Sequence, residues 1–441
     1  MKPLGTYFYL IQVLLYLTAG PLFSKETKQV RHDPLLHEPE AKQYAREDYL
    51  REPEARLRVV FTGDIMGHDT QIASALATGA EGYDYHPCFQ FLKPYFRQAD
   101  LVIGNLEVTL AGPPYKGYPQ FSSPDELADA LKEAGFHILV MANNHALDRG
   151  QAGLNRTLEQ LDRRGLLHTG VFAGPGERGL SYPLVVEKHG IRIALLNYTY
   201  GTNGLKVPPP AIVNRIDTLQ IREDLEKATT AEPDFILVTM HWGDEYQRTE
   251  NSMQRELAAF LFRNGADAII GSHPHVVQPI RGDRKGNLVA YSMGNFISNQ
   301  RDRYRDGGIV FQLDLLKTPE GNFIDGHAYL PFWVWKPWTP QGTLFTVVPA
   351  NIDPSVLHHG LKDPAQTSTS QQSPGDPNQS SGLQHAPGDS TLPERFYMET
   401  PPMSAADREK MLQFLMDTRE NLEGRAEVQP EWLRGTLSEE P

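Results

Sequence analysis

Leu57-Arg58-Val59-Val60-Phe61-Thr62-Gly63-Asp64 sets a pattern that the chain repeats. Its first five residues have the composition of a short buried strand, and Thr62-Gly63-Asp64 closes the run with a turn that carries a carboxylate. Working outward, similar apolar runs recur at 100–104, 137–142, 235–240, 266–271 and 288–292. Between them lie stretches with apolar residues at helical spacing, among them 124–134, opened by the capping pair Ser122-Ser123, and 253–264. Strands alternating with helices imply α/β layering. Two stretches depart from that alternation. Residues 182–187 and 191–196 flank Lys188-His189-Gly190 as a hairpin, and 308–316 and 323–330 form a second antiparallel pair through Pro319-Glu320-Gly321-Asn322. Such pairs call for mixed sheets rather than a uniform barrel.

The ends of the chain read differently. Lys2, the apolar residues between Phe8 and Leu17, and the small pair Ala19-Gly20 have the order of a secretory signal, or of an uncleaved membrane anchor, over 1–24. No cysteine follows, which argues against a lipoprotein anchor. Residues 25–56 form a charged spacer. One large domain is expected over 57–352, then a disordered low-complexity insert of Ser, Gln, Pro and Gly over 353–395. A C-terminal segment, 396–441, carries an amphipathic helix at 405–422 that packs back onto the domain. The 441 residues, 40% of them hydrophobic, suffice for a sizeable core. The formal net charge of −13 argues against nucleic acid as a partner, because phosphate neutralisation needs clustered Lys and Arg. The lone Cys88 excludes an intrachain disulfide and any multi-cysteine zinc site.

Five polar clusters stand at the carboxyl ends of apolar runs, where open α/β sheets place ligand-binding groups. They are Thr62-Gly63-Asp64, Gly104-Asn105-Leu106-Glu107, Ala142-Asn143-Asn144-His145, Met240-His241-Trp242-Gly243 and Gly271-Ser272-His273-Pro274-His275. Taken singly, a strand-end histidine is more often structural and a Gly-Asp pair only a turn. Jointly, carboxylates, amides and imidazoles recurring at equivalent strand ends would converge on one rim. That donor mixture suits a divalent Mn, Fe or Zn, one or two ions, better than Ca or Mg. His273-Pro274-His275 spaces two imidazoles so that both face one cavity.

Together the motifs resemble the CapA, or poly-gamma-glutamate biosynthesis, family, which is similar in turn to the calcineurin-like metallophosphoesterases. The resemblance spans about 57–316 and rests on Gly63-Asp64, Gly104 to Glu107, Asn143 to Asp148, His241-Trp242-Gly243, Gly271 to Val276 and Ser292 to Phe296, in the family's order. It implies an α/β fold, a four-layer α/β/β/α metallophosphoesterase-like sandwich of mixed sheets, with a metal centre at the sheet edge. By position, Asp64 and His275 correspond to ligands of one metal, Glu107 to a bridging carboxylate, and Asn144, His241 and His273 to ligands of the other. His145 corresponds to the histidine that protonates a leaving group, with Asp148 orienting it. The sequence departs from phosphoesterases at Met66, which stands where they carry a histidine and leaves His68 as the substitute, and at Asn105, where they place an aspartate.

The resemblance implies a metal-dependent hydrolase at the cell envelope, in capsule or poly-gamma-glutamate biosynthesis, acting on a phosphoester or amide bond through a metal-activated water. Two ions about 3.5–4 Å apart would polarise the substrate and stabilise a leaving oxygen. The partners implied are an extracytoplasmic polymer or phosphoester substrate and a membrane synthase. The alternative is a non-catalytic component that assembles or attaches polymer, and a third option is a cytosolic phosphatase, which requires the leader to be inert. Elsewhere, Phe332 to Trp338 reads as core packing ahead of a polymer platform, and His358, His359 and His385 as solvated. Tyr115 and Tyr118 are candidate walls of the site, and Arg149 and Arg301 candidate anion contacts.

Overall fold

In the computed structural model of the chain, which describes residues 54–79, 82–340, 342–358 and 400–433, the opening run becomes β1 (Ala55–Ile65). β1 outlasts its apolar stretch because Asp64 and Ile65 are paired on both sides, across a bulge at Asp64. β2 (Leu101–Leu106), β3 (Ile138–Val140) and β4 (Leu167–Thr169) follow in parallel beside it. After the short β5 (Val171–Phe172) the chain builds a second sheet. The hairpin β6 (Leu184–Lys188) and β7 (Ile191–Thr199) comes first; β8 (Ile212–Val213), next along the chain, pairs with β5 in a separate two-stranded sheet. β9 (Phe235–His241), β10 (Ala268–Ser272), β11 (Ile280–Gly282) and β12 (Leu288–Ala290) complete the second sheet. The return runs through β13 (Asn295–Ile297) and the long hairpin of β14 (Gly307–Thr318) and β15 (Gly321–Trp335). A small pair, β16 (Trp338–Thr339) and β17 (Gly342–Thr343), precedes β18 (Thr346–Pro349).

The first sheet has the order β18-β15-β14-β1-β2-β3-β4, with β13 beside β1, and the second β11-β12-β10-β9-β7-β6. Both mix parallel and antiparallel neighbours, as the two hairpins require. Strand periodicity fixes the layers. On β1, Leu57, Val59 and Phe61 point into a core shared with Ile193 and Leu195 of β7, Leu237 of β9 and Ile270 of β10, so this core lies between the sheets. Val60, Val102 and Leu139 point the other way, against helices Asp69–Thr78, Glu126–Ala134 and Gly150–Arg163. Leu196, Val238 and Ile269 likewise face helices Thr218–Thr230 and Ser252–Arg263. The result is α/β/β/α, four layers with a core between each adjacent pair, and a fourth apolar cluster lies around Trp333 and Trp335. Each fully buried aliphatic side chain contributes about 1.5–3 kcal/mol, so slipping one strand by a residue would forfeit several such terms.

Several local expectations change. Helix Glu126–Ala134 has Asp125 at its N-cap instead of Ser122-Ser123. Pro124 holds the residue before it out of the helical region, and Ser122 and Ser123 are buried in the preceding loop. Phe332, Trp333, Val334 and Trp335 are buried, and the Trp333 indole donates to Asp306 at 2.6 Å, whereas Trp338 stands exposed. Helix Ala405–Asn421 lays Met411, Phe414 and Leu415 against Trp333, Trp335 and Val348. Its cap is Ser404, which accepts from the Asp407 amide. The leader at 1–24, the spacer up to residue 53, residues 359–399, which hold most of the insert with His359 and His385, and 434–441 lie outside the described residues. Among the described residues no helix is long and apolar enough to cross a membrane.

Candidate metal centre

The carboxyl ends of β1, β2 and β3 in one sheet face those of β9 and β10 in the other, and the polar clusters meet there. Asp64 ends β1 at its bulge. A Cβ on the preceding Gly63 would fall inside the radius of the Gly294 carbonyl oxygen, so only glycine lets β13 approach. Glu107 follows β2, His241 ends β9, and His273 and His275 follow β10. Both of these last histidines have positive φ, 99° and 59°, a conformation that side chains adopt at a cost of about 1–3 kcal/mol. Asp64, Glu107, Asn144, His145, Asp148, His241, His273 and His275 are all buried.

The donors fall into two sets that share Glu107: Asp64, Glu107 and His241, and Glu107, His273 and His275, the ligand atoms of each lying within 4.8 Å of one another. The family resemblance implies a different partition, with His273 beside His241. His241 Nε2 stands 3.6 Å from Glu107 Oε1 and 2.8 Å from Asn144 Oδ1, and His275 Nε2 stands 4.0 Å from Glu107 Oε1. His275 Nδ1 lies 3.0 Å from both Asp64 Oδ2 and Asn295 Oδ1. Asn105 Nδ2 donates to Asp64 Oδ1 at 2.8 Å and lies 3.3 Å from His241 Nδ1, so the amide in the aspartate's place ties two ligands together.

A divalent cation fits this donor set. Both carboxylate oxygens of Glu107 and Nδ1 of His273 are buried and meet no hydrogen-bond partner among the described residues. Orphaned buried acceptors are costly and call for an unseen partner. Burial, with the charge of Asp64 next, pushes the Glu107 carboxyl well above its usual range. Burial also acts against Asp64, but hydrogen bonds from His275 and Asn105 outweigh it and hold that carboxyl below normal. Burial and then neighbouring imidazoles lower His241 well below its usual pKa and His273 to about 4. Their rings therefore stay neutral and keep lone pairs for a cation.

Beside the ligands, His145 Nδ1 meets Asp148 Oδ2 at 2.7 Å, and the same oxygen accepts from the Phe121 amide at 2.7 Å. Phe121 sets its ring edge-on to His145, centroids 4.7 Å apart. With Nδ1 donating to a carboxylate, Nε2 is the nitrogen left for a substrate.

Met66 is buried in the outer core and supplies no ligand. His68 belongs to neither donor set: its Nδ1 lies 3.0 Å from Gln71 Oε1 and 3.2 Å from the Asn299 amide, at the start of helix Asp69–Thr78. Arg301 donates to the Val334 carbonyl and lies over Trp333, which makes it a packing residue rather than an anion contact. Arg149 donates to the Pro114 carbonyl. Tyr118 is exposed and touches Phe121, while Tyr115 packs on Tyr83.

Three contributors escaped the sequence reading. Tyr200, just past β7, stacks over His241 and lies 4.5 Å from His273. Asn203 touches Asn144 and His145. Tyr246 flanks His275 with its centroid 6.0 Å away, and Arg305 lies over its ring. The strand-end rule, applied to β7 as to its neighbours, points to the first two.

The family model for bacterial capsule synthesis protein PGA_cap matches residues 58–300. The chain is similar to the PGA biosynthesis protein CapA of Bacillus subtilis, 33% identical over 305 residues, 65% of this chain and 76% of that one. It is similar also to the capsule biosynthesis protein CapA of Bacillus anthracis, 31% identical over 271 residues, 58% of this chain and 63% of that one. Among solved structures, the calcineurin-like phosphoesterase YfkN from Bacillus subtilis superposes with a TM-score of 0.40 at 15% identity, over 63% of this chain and 91% of that one.

Proposed function

Starting from the fact that this chain belongs to the bacterial capsule synthesis protein family, we propose that it is a metal-dependent hydrolase of the cell envelope that acts on a phosphoester or amide bond in capsule or poly-gamma-glutamate biosynthesis. One observation carries the reading: the Glu107 carboxyl is buried between Asp64 and three imidazoles and meets no hydrogen-bond partner among the described residues. Asp64, Glu107, Asn144, His241, His273 and His275 would hold one or two divalent ions. A cation bound there supplies a Lewis acid and lowers the pKa of water that reaches it.

The remaining residues do the chain's own work. Asp148 fixes the imidazole of His145 so that Nε2 can hold a proton for the leaving group. Asn105 keeps Asp64 and His241 in place. Tyr200 and Tyr246, both partly exposed, flank His273 and His275 and would meet a substrate that approaches those ligands.

The test is bound metal by elemental analysis, together with Mn²⁺-dependent turnover of a generic phosphodiester and of a γ-glutamyl amide. Replacement of His145 by alanine is expected to slow the active reaction about 10²–10⁴-fold while leaving bound metal unchanged. Equal turnover by the His145→Ala chain would discard the role given to that residue. The second reading, a non-catalytic polymer-assembly component, is favoured by the burial of Met66 in the core, which leaves the Asp64 side one ligand short. It predicts a purified chain free of metal and inert on both substrates. Fractionation of expressing cells tests the envelope location.

A further inference from the structure

A carboxamide offers a cation one useful end. The Asn144 Oδ1 can ligate and its Nδ2 repels, yet the two ends have nearly the same shape, so something has to choose between them. On one side Oδ1 lies 2.8 Å from His241 Nε2, among the candidate ligands. On the other, Nδ2 donates to Asn203 Oδ1 at 3.2 Å. Asn144 is only 2% exposed, so solvent does little to set its orientation. Turning the Asn144 amide over would bring its oxygen against the Asn203 oxygen.

The loop that presents Asn203 is built to hold it still. The residue sits at φ 49°, a left-handed conformation that asparagine tolerates, and Gly204 follows at φ 76°. Thr202 donates its hydroxyl to the Leu205 carbonyl at 2.6 Å, and the Leu205 amide returns a bond to the Thr202 carbonyl at 2.8 Å. Leu205 and Val207 then pack on the core outside the first sheet. Asn203 Nδ2 lies 3.5 Å from His145 Nδ1, but that nitrogen gives its proton to Asp148, so the Asn144 amide is the hydrogen-bond partner that the Asn203 side chain has on this side.

We infer that Asn203, carried on the loop after β7, is a positioning residue whose side-chain carbonyl locks the Asn144 amide with its oxygen toward the cation. This rests on the metal-centre reading above, and it adds a residue from outside the five strand-end clusters.

The experiment titrates Mn²⁺ into the full chain by calorimetry, for the unsubstituted protein and for Asn203→Gly and Asn203→Asp, and melts each one without metal. Glycine suits the backbone at this position and removes the whole carboxamide, whereas aspartate keeps an acceptor oxygen in its place. Asn203→Gly is expected to bind Mn²⁺ about 10–100-fold more weakly. Asn203→Asp should stay within about threefold of the unsubstituted chain, and all three should melt alike without metal. Retained affinity in Asn203→Gly, or an equal loss in Asn203→Asp, overturns the positioning role and leaves the metal centre standing. Failure of the unsubstituted chain to bind Mn²⁺ overturns the centre and this inference together.

Discussion

At Glu107 a single side chain sets stability against function. Its two oxygens are buried and meet no hydrogen-bond partner among the described residues, so the metal-free protein carries an acceptor that water would otherwise satisfy. Methionine has nearly the same length and volume and needs no partner. Glu107→Met is therefore expected to make the metal-free chain more stable by about 1–3 kcal/mol in urea unfolding, because the orphaned carboxyl is gone. The same change should abolish the rise in melting temperature that Mn²⁺ gives a protein binding it in the folded state alone. A Glu107→Met chain that is both less stable without metal and still stabilised by Mn²⁺ would mean that Glu107 is a structural acid with a partner of its own. Function at the expense of stability is the ordinary pattern for such sites.

Among the elements, the loop after β3 is where the two sheets are joined. Asn197 of β7 accepts from the Ala142 amide at 2.6 Å and the Met141 amide at 3.1 Å, and its own amide donates to the Thr239 carbonyl at 3.4 Å. The Met141 amide has a second acceptor in Thr169, so the Ala142 amide is the group that depends on Asn197. Asn197→Ala should cost about 1–3 kcal/mol through that orphaned donor, with a further loss from the cavity left behind. Asn143, Asn144 and His145 follow directly, so the variant should also bind Mn²⁺ more weakly. An unchanged unfolding midpoint would show that the loop holds itself. This joint explains what the sequence did and did not reveal. Asp64, Glu107, His241, His273 and His275 were legible because each ends an apolar run, a local signal. Asn197 was not, since an asparagine inside one strand acquires its meaning only when another sheet comes to face it. The family motif includes Asn295, but its bond to His275 depends on β13 lying beside β1.

Over the whole molecule, strands alternating with helices foretold α/β layers, the two hairpins foretold mixed sheets, and the family resemblance implied the four-layer order. Contacts between outer helices were beyond reach, because surface charges pair according to how helices settle on a sheet. One such contact makes stability depend on pH. His86 Nδ1 lies 2.6 Å from Asp84, and its Nε2 lies 2.7 Å from Glu133, which also pairs with Lys93 at 2.6 Å. Burial opposes the charge on His86, but hydrogen bonds to Asp84 and Glu133 prevail and raise its pKa from 6.5 to about 9. The hydrogen bond from His86, opposed by burial and helped by Lys93, lowers Glu133 from 4.5 to about 2. A raised histidine stabilises fully below its unfolded pKa of 6.5, and that contribution fades as pH climbs through about 9. A depressed glutamate stabilises above 4.5 and loses its contribution as pH falls toward about 2. Both are at full strength together only between 4.5 and 6.5. Glu133 is 42% exposed, so solvent screens part of the effect. The gap in melting temperature between the unsubstituted chain and His86→Gln should accordingly be widest near about pH 5.5 and narrow steadily toward about pH 10. A gap that widens with rising pH would show that the imidazole is held neutral in the folded protein, and the network assigned to Asp84, His86, Lys93 and Glu133 would be wrong.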